Sequence, residues 1–154
     1  MVTNSLINKE LILLDFDAKD KFDLLSKLSS ILIEKSYVKP SFENAVIERE
    51  KVFPTGLITE GANVAIPHTD AIHVIKPTIV FAKLKNPITF KEMGLGKKDI
   101  NSELIFMLAI NNPKEQVSTL SNLMSIFSNK ELLSNIKDSN DVLEILNLLT
   151  NALN

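Results

Sequence analysis

Both histidines of the chain fall in one stretch of 21 residues, FPTGLITEGANVAIPHTDAIH from Phe53 to His73, along with two of its four glycines. His68, Asp70 and His73 form an H-x-D-x-x-H pattern that offers imidazole and carboxylate chemistry. A metal centre would need three or four ligands at fixed spacing. The chain has no cysteine and no third histidine, so no metal site is expected, and nothing in the pattern asks for a cofactor. A Ser-His-Asp hydrolase would need a nucleophile elbow, and G-x-S-x-G is absent. General acid–base work by a single histidine stays open but is unspecific. The remaining chemistry is covalent, with the His68 imidazole itself as the nucleophile.

The elements around His68 are suited to holding it. Asn63-Val64-Ala65-Ile66 is a short apolar run that reads as a buried strand, and Pro67 stops it. Proline has no N–H and pushes its predecessor toward extended geometry, so Ile66 is predicted to be the last regular strand residue. His68 then stands at a strand end with its ring toward the loop side. Sixteen of the 17 basic residues are lysines, and the exception is Arg49. A lone arginine either marks a site that needs a planar, two-pronged donor or is a solvated helix residue.

Length and composition limit the rest. At 154 residues, 45% hydrophobic and 23% charged, the chain reads as a single globular domain over 1–154. The net charge of −2 and scattered lysines argue against nucleic acid as a partner. No apolar run is long enough to span a bilayer, and the N-terminus lacks the pattern of a signal peptide. No membrane insertion and a cytoplasmic location are therefore expected.

Along the chain, Leu11 to Leu14 reads as a strand closed by an Asp15-Phe16-Asp17 turn. From Lys19 to Ser36, Phe22, Leu25, Leu28, Ile31 and Leu32 recur at helical steps. A second helix is predicted from a Ser41 cap to about Lys51, with Phe42, Ala45 and Val46 inward and Arg49 one turn beyond Ala45. Leu57 to Thr59 and Asn63 to Ile66 read as short neighbouring strands, and Thr78–Ala82 and Glu103–Ile110 as buried ones. Asn86 to Asn101 reads as a loop with a short strand at Ile88–Phe90. Its Met93–Lys98 piece lacks the Walker spacing and reads as a surface turn. Asn112-Pro113-Lys114-Glu115 starts a helix whose buried face is expected to be Val117, Leu120, Leu123, Met124 and Phe127. A short helix over Lys130 to Ile136 and a last one capped by Ser139 or Asn140 follow. Strands alternating with helices predict an α/β fold: a mixed, mostly buried sheet of about five strands between helices on both faces.

The run Phe53-Pro54-Thr55-Gly56, then Ala65-Ile66-Pro67-His68, then Ala71-Ile72-His73 resembles the EIIA components of the bacterial phosphoenolpyruvate-dependent sugar phosphotransferase system (PTS). The resemblance is to the fructose/mannitol superfamily, most closely its galactitol-type branch. It extends to Arg49-Glu50 on the preceding helix and to Leu104–Leu123 with its N-N-P-x-x-Q-V. It implies that His68 is phosphorylated by the carrier HPr and passes the group to a cysteine of EIIB, which works with the membrane component EIIC on a sugar or sugar alcohol. It also implies that Arg49 and Glu50 belong to the site. Arg49 would present paired donors to the phosphoryl group, Thr69 a hydroxyl, and Asp70 would orient the ring. His73 either lines the pocket or flanks a helix. Mannitol-type members have a second histidine where this chain has Lys114, a departure shared with the galactitol-type branch. The alternative within the same fold is a regulatory domain whose phosphorylation state controls a partner. Such domains are commonly fused to other modules, for which this chain leaves no room, so transport is the expected role.

Overall fold

In β5 (Asp99–Ala109) side chains alternate between two dry faces: Leu104, Phe106 and Leu108 point one way, Ile105, Met107 and Ala109 the other. A computed structural model describes residues 6–153 and shows what covers each face. The sheet has five strands in the order β1 (Ile7–Phe16), β4 (Thr78–Lys91), β5, β3 (Val64–Ala65), β2 (Gly56–Leu57). It is mixed: β1 runs parallel to β4 and β3 parallel to β5, while β4–β5 and β2–β3 are antiparallel. Helices α1 (Lys21–Glu34) and α2 (Ser41–Val52) cover one face through Leu24, Leu25, Leu28, Leu32, Phe42 and Val46. Helices α3 (Pro113–Phe127), α4 (Lys130–Asp138) and α5 (Val142–Leu153) cover the other through Leu123, Phe127, Leu133, Ile136, Ile145 and Leu149. The α/β sandwich expected from the alternation of elements is the fold observed.

Several local readings are corrected. The segment Asn86–Asn101 is mostly strand, not loop. After an irregularity between Lys83 and Ile88 the β4–β5 ladder resumes and runs from Ile88–Ser102 to Lys91–Asp99. Pro87 lies in the irregular stretch between Lys83 and Ile88, where a missing N–H is tolerated. The Met93–Lys98 piece is indeed a turn, with Gly94 (φ +93°) and Gly96 (φ +65°) in left-handed geometry. β1 starts at Ile7 rather than Leu11 and continues through Asp15, whose φ of +51° accompanies a register shift rather than ending the strand. On α1, Leu24 is fully buried, while Phe22 and Ile31 are only partly covered.

On α3 the buried face is Thr119, Leu123, Ile126 and Phe127, whereas Val117 is 68% exposed and Met124 is also exposed. The two stripes share Leu123 and Phe127, and periodicity alone cannot say which meets the sheet. Asp141, not Ser139 or Asn140, caps α5, accepting from the Leu143 N–H at 3.0 Å, while the Ser139 hydroxyl instead accepts from the Asp141 N–H at 3.2 Å. Among the described residues no helix is long and apolar enough to cross a membrane.

Candidate functional site

The site lies at the carboxyl ends of the parallel pair β3 and β5, where open α/β sheets place their ligands. β3 ends at Ala65, one residue earlier than predicted, and the chain from Ile66 onward is held by hydrogen bonds from three directions. The Ile66 N–H donates to Thr55, at 3.2 Å from Oγ1 and 3.3 Å from the carbonyl oxygen. The Leu108 N–H of β5 donates to the Pro67 carbonyl at 3.0 Å. Gln116, in the first turns of α3, donates from Nε2 to the Thr69 carbonyl at 2.8 Å. A rigid frame therefore surrounds the one residue between Pro67 and Thr69.

That residue, His68, is 8% exposed, so its ring is tucked in rather than turned out to the loop side. Its Nδ1 lies 2.8 Å from the Ile66 carbonyl oxygen. A carbonyl can only accept, so Nδ1 carries the proton and the neutral ring keeps its lone pair on Nε2. Burial holds the imidazole below its usual pKa range. The Arg49 charge acts in the same sense, while the Ile66 hydrogen bond and Asp70 oppose it. The ring at neutral pH is an uncharged nucleophile with a fixed tautomer.

Helix α2 supplies the two residues that follow from its geometry. Phe42, Val46 and Glu50 recur every four positions and share the buried face, while Arg49 is turned to the flank. Arg49 Nη1 lies 3.6 Å from Asp70 Oδ1, and its guanidinium carbon lies 5.1 Å from the Phe53 ring centre. Its Nε is buried with no hydrogen-bond partner among the described residues. Asp70 thus engages Arg49, and the expected task of orienting the ring falls to the Ile66 carbonyl instead.

Glu50 is 2% exposed and accepts from the Thr55 N–H at 2.8 Å and the Thr55 hydroxyl at 2.9 Å. Burial pushes its carboxyl up to about 7, against those two bonds and the Lys21 charge. Thr69 is buried beside the ring in sequence, with its carbonyl taken by Gln116. His73 ends a 3₁₀ turn (Ala71–His73), and its Nδ1 shares a 2.8 Å hydrogen bond with the Ser41 hydroxyl. Ser41 is therefore not the helix cap that was expected; Pro40 holds that position without a side-chain bond. Lys114 stands exposed in the first turn of α3.

Thr55 and Gln116 were not singled out from the sequence as site residues. Both lay inside the quoted motifs, F-P-T-G and N-N-P-x-x-Q-V, which was the available signal. Among the described residues no cluster of three or more His, Cys, Asp or Glu is placed to hold a metal ion. A cavity of about 590 Å³ lined by Leu57, Ile58, Met124 and Phe127 includes none of these side chains. An imidazole with a free Nε2, next to a guanidinium with a spare donor, suits attack on an electrophile bearing anionic oxygens.

Residues 5–152 match the family model described as phosphoenolpyruvate-dependent sugar phosphotransferase system, EIIA 2. The chain belongs to that family. It is 30% identical over 101 residues to the galactitol-specific EIIA component of Escherichia coli K12, covering 66% of this chain and 67% of that one. It is 33% identical over 144 residues to the mannitol-specific EIICBA component of Vibrio cholerae, covering 91% of this chain but 21% of that larger protein. The fold is similar to that of the mannitol EIIA of Escherichia coli solved in complex with its phosphorylated EIIB. That match has a TM-score of 0.75 at 24% identity and covers 95% of this chain and 99% of that one. His68 is the histidine of this chain's A-I-P-H run, and the frame described above is built around it.

Proposed function

We propose that this EIIA domain is a phosphocarrier that takes a phosphoryl group from phospho-HPr onto His68 Nε2 and delivers it to the cysteine of an EIIB. The observation that carries the reading is the Nδ1–H bond to the Ile66 carbonyl, which leaves Nε2 as the free lone pair. In the loading step that pair forms an N–P bond as the donor's P–N bond breaks, and the departing pair stays on the donor ring. In the delivery step the EIIB thiolate forms an S–P bond, and the N–P pair returns to Nε2. The Nδ1 proton stays in place throughout, so the group leaves a neutral imidazole rather than an imidazolate. Phosphoryl transfer asks the protein chiefly for positioning and for charge stabilisation on oxygen. Arg49, whose Nε–H has no partner among the described residues, is suited to the second task.

The two partners must reach the same imidazole in turn, so their footprints overlap. Exposed apolar side chains follow the site residues closely in the chain: Phe53 after α2, Ile72 in the 3₁₀ turn and Val117 next to Gln116. With Lys114 on a polar rim, they suit a transient interface of about 1,200 Å² or less in total. EIIB in turn serves the membrane component EIIC. The likeness to the galactitol-specific EIIA and Lys114 in place of a second histidine support a galactitol-like sugar alcohol, and the setting is the cytoplasm.

Incubation with phosphoenolpyruvate, enzyme I and HPr, followed by mapping, tests the proposal. We expect an acid-labile, base-stable label on His68 that His68→Ala abolishes. An acid-stable label, or one on His73, overturns it.

A further inference from the structure

Four hydrogen-bond donors run in one direction from the His68 ring to a buried carboxylate. His68 Nδ1–H donates to the Ile66 carbonyl, and the Ile66 N–H donates to Thr55 Oγ1. The Thr55 hydroxyl donates to Glu50 Oε1 and the Thr55 N–H to Glu50 Oε2. A hydroxyl has a single proton. Because an ionised Glu50 can only accept, that proton points to Glu50, and a lone pair of Oγ1 faces the Ile66 N–H. Glu50 thus sets the direction of the Thr55 hydroxyl, the one rotatable donor of the line, and with it the acceptor offered to the Ile66 N–H.

We propose that Glu50 is the positioning residue of His68, acting through the Thr55 hydroxyl and Ile66 to hold the imidazole as its Nδ1–H tautomer with Nε2 free. The role of this tautomer in transfer rests on the phosphocarrier reading above; the structural coupling does not. Ile66 lies beyond the last residue of β3, and β2 and β3 pair over only two residues each. The Thr55 contact is therefore what extends that short ladder to Ile66. Thr55 is in turn tied to α2 by two bonds to one carboxylate. Removing the hydroxyl leaves the Ile66 N–H only the longer 3.3 Å bond to the Thr55 carbonyl, and replacing the acceptor-only carboxylate by an amide leaves a Thr55 proton without its partner inside a buried site. Ile66 then loses the shorter of its two bonds to Thr55, keeping the carbonyl bond and, one residue on, the Leu108 bond to the Pro67 carbonyl. The ring acceptor shifts with it.

The coupling predicts a graded response at a distance from the reacting atom. Glu50→Gln is nearly isosteric but turns an NH₂ toward Thr55. Thr55→Val keeps the shape and loses the hydroxyl, while Thr55→Ser keeps the hydroxyl. The readout is the ¹⁵N spectrum of the His68 ring in mildly alkaline buffer, where the imidazole is neutral and Glu50 ionised. It is paired with the rate of phosphoryl uptake from phospho-HPr. Wild type and Thr55→Ser are expected to show one Nδ1–H tautomer. Glu50→Gln and Thr55→Val are expected to show a mixture and uptake slowed by about tenfold or more, as small misplacements of a reacting group do.

If Glu50→Gln does not fold, the valine–serine pair at Thr55 carries the same test. A wild-type tautomer in both Glu50→Gln and Thr55→Val overturns the proposal, whether or not uptake slows. A tautomer change in a protein that HPr never labels upholds the positioning role and removes the phosphocarrier reading instead.

Discussion

Arg49 and Asp70 face each other across the site, with 3.6 Å between Nη1 and Oδ1, and the arginine's own Nε–H is buried without a hydrogen-bond partner among the described residues. The pair joins α2 to the loop that follows His68. Asp70 is largely exposed, so the pair contributes at most about 1 kcal/mol to stability. Its value lies in aiming the guanidinium. Lysine would keep the charge but not the planar fork. Arg49→Lys is therefore expected to slow transfer to EIIB by about tenfold or more, with stability changed by less than about 1 kcal/mol. Wild-type transfer in a rapid-quench assay would make Arg49 a solvated helix residue.

The depressed pKa of His68 gives a second expectation. The folded protein binds its proton less readily than the unfolded chain, so His68 destabilises the fold as pH drops below the ordinary imidazole value of 6.5. Stability from this residue is fully present above that value. NMR titration of the ring should give a midpoint below that of a free histidine, and acceptor activity should persist into mildly acidic solution. A midpoint at or above the ordinary value contradicts the burial seen here.

Glu50 has the opposite sign. Its carboxyl is raised from 4.5 to about 7, so between those values the folded protein holds a proton that the unfolded chain has lost. Stability from this residue is present below about 4.5 and declines as pH rises to about 7. Glu50→Gln removes the titration and leaves a constant cost from mismatched hydrogen bonds. The stability of the variant relative to wild type should therefore improve across that window, by on the order of 3 kcal/mol at most, and be flat above it. Denaturant melts at a series of pH values read this directly; a pH-independent difference would mean the carboxyl is not raised.

Ser29 lies fully buried on α1, and its hydroxyl has no hydrogen-bond partner among the described residues. An unmade bond in a dry core costs about 1–3 kcal/mol, and alanine is the better helix former. Ser29→Ala should raise stability by about 1 kcal/mol without altering transfer. A loss of stability would show that the hydroxyl is satisfied in solution.

The sequence by itself determined the order of elements, the two-faced central strands and the place of His68 after Pro67, because those follow from local periodicity and from proline's fixed geometry. It also singled out Arg49, through composition. Only the tertiary structure decided how far the hairpin extends past Pro87, since a bulge that accommodates proline is formed between two strands and not by one. It likewise decided which stripe of α3 is buried, a matter of how the helix sits on β5. The ring geometry of His68 belongs to the same class. Its burial, its protonated Nδ1 and the line of donors to Glu50 depend on Thr55, Leu108 and Gln116 meeting at one strand end. These residues lie up to 61 positions apart, and no local signal records that they are neighbours.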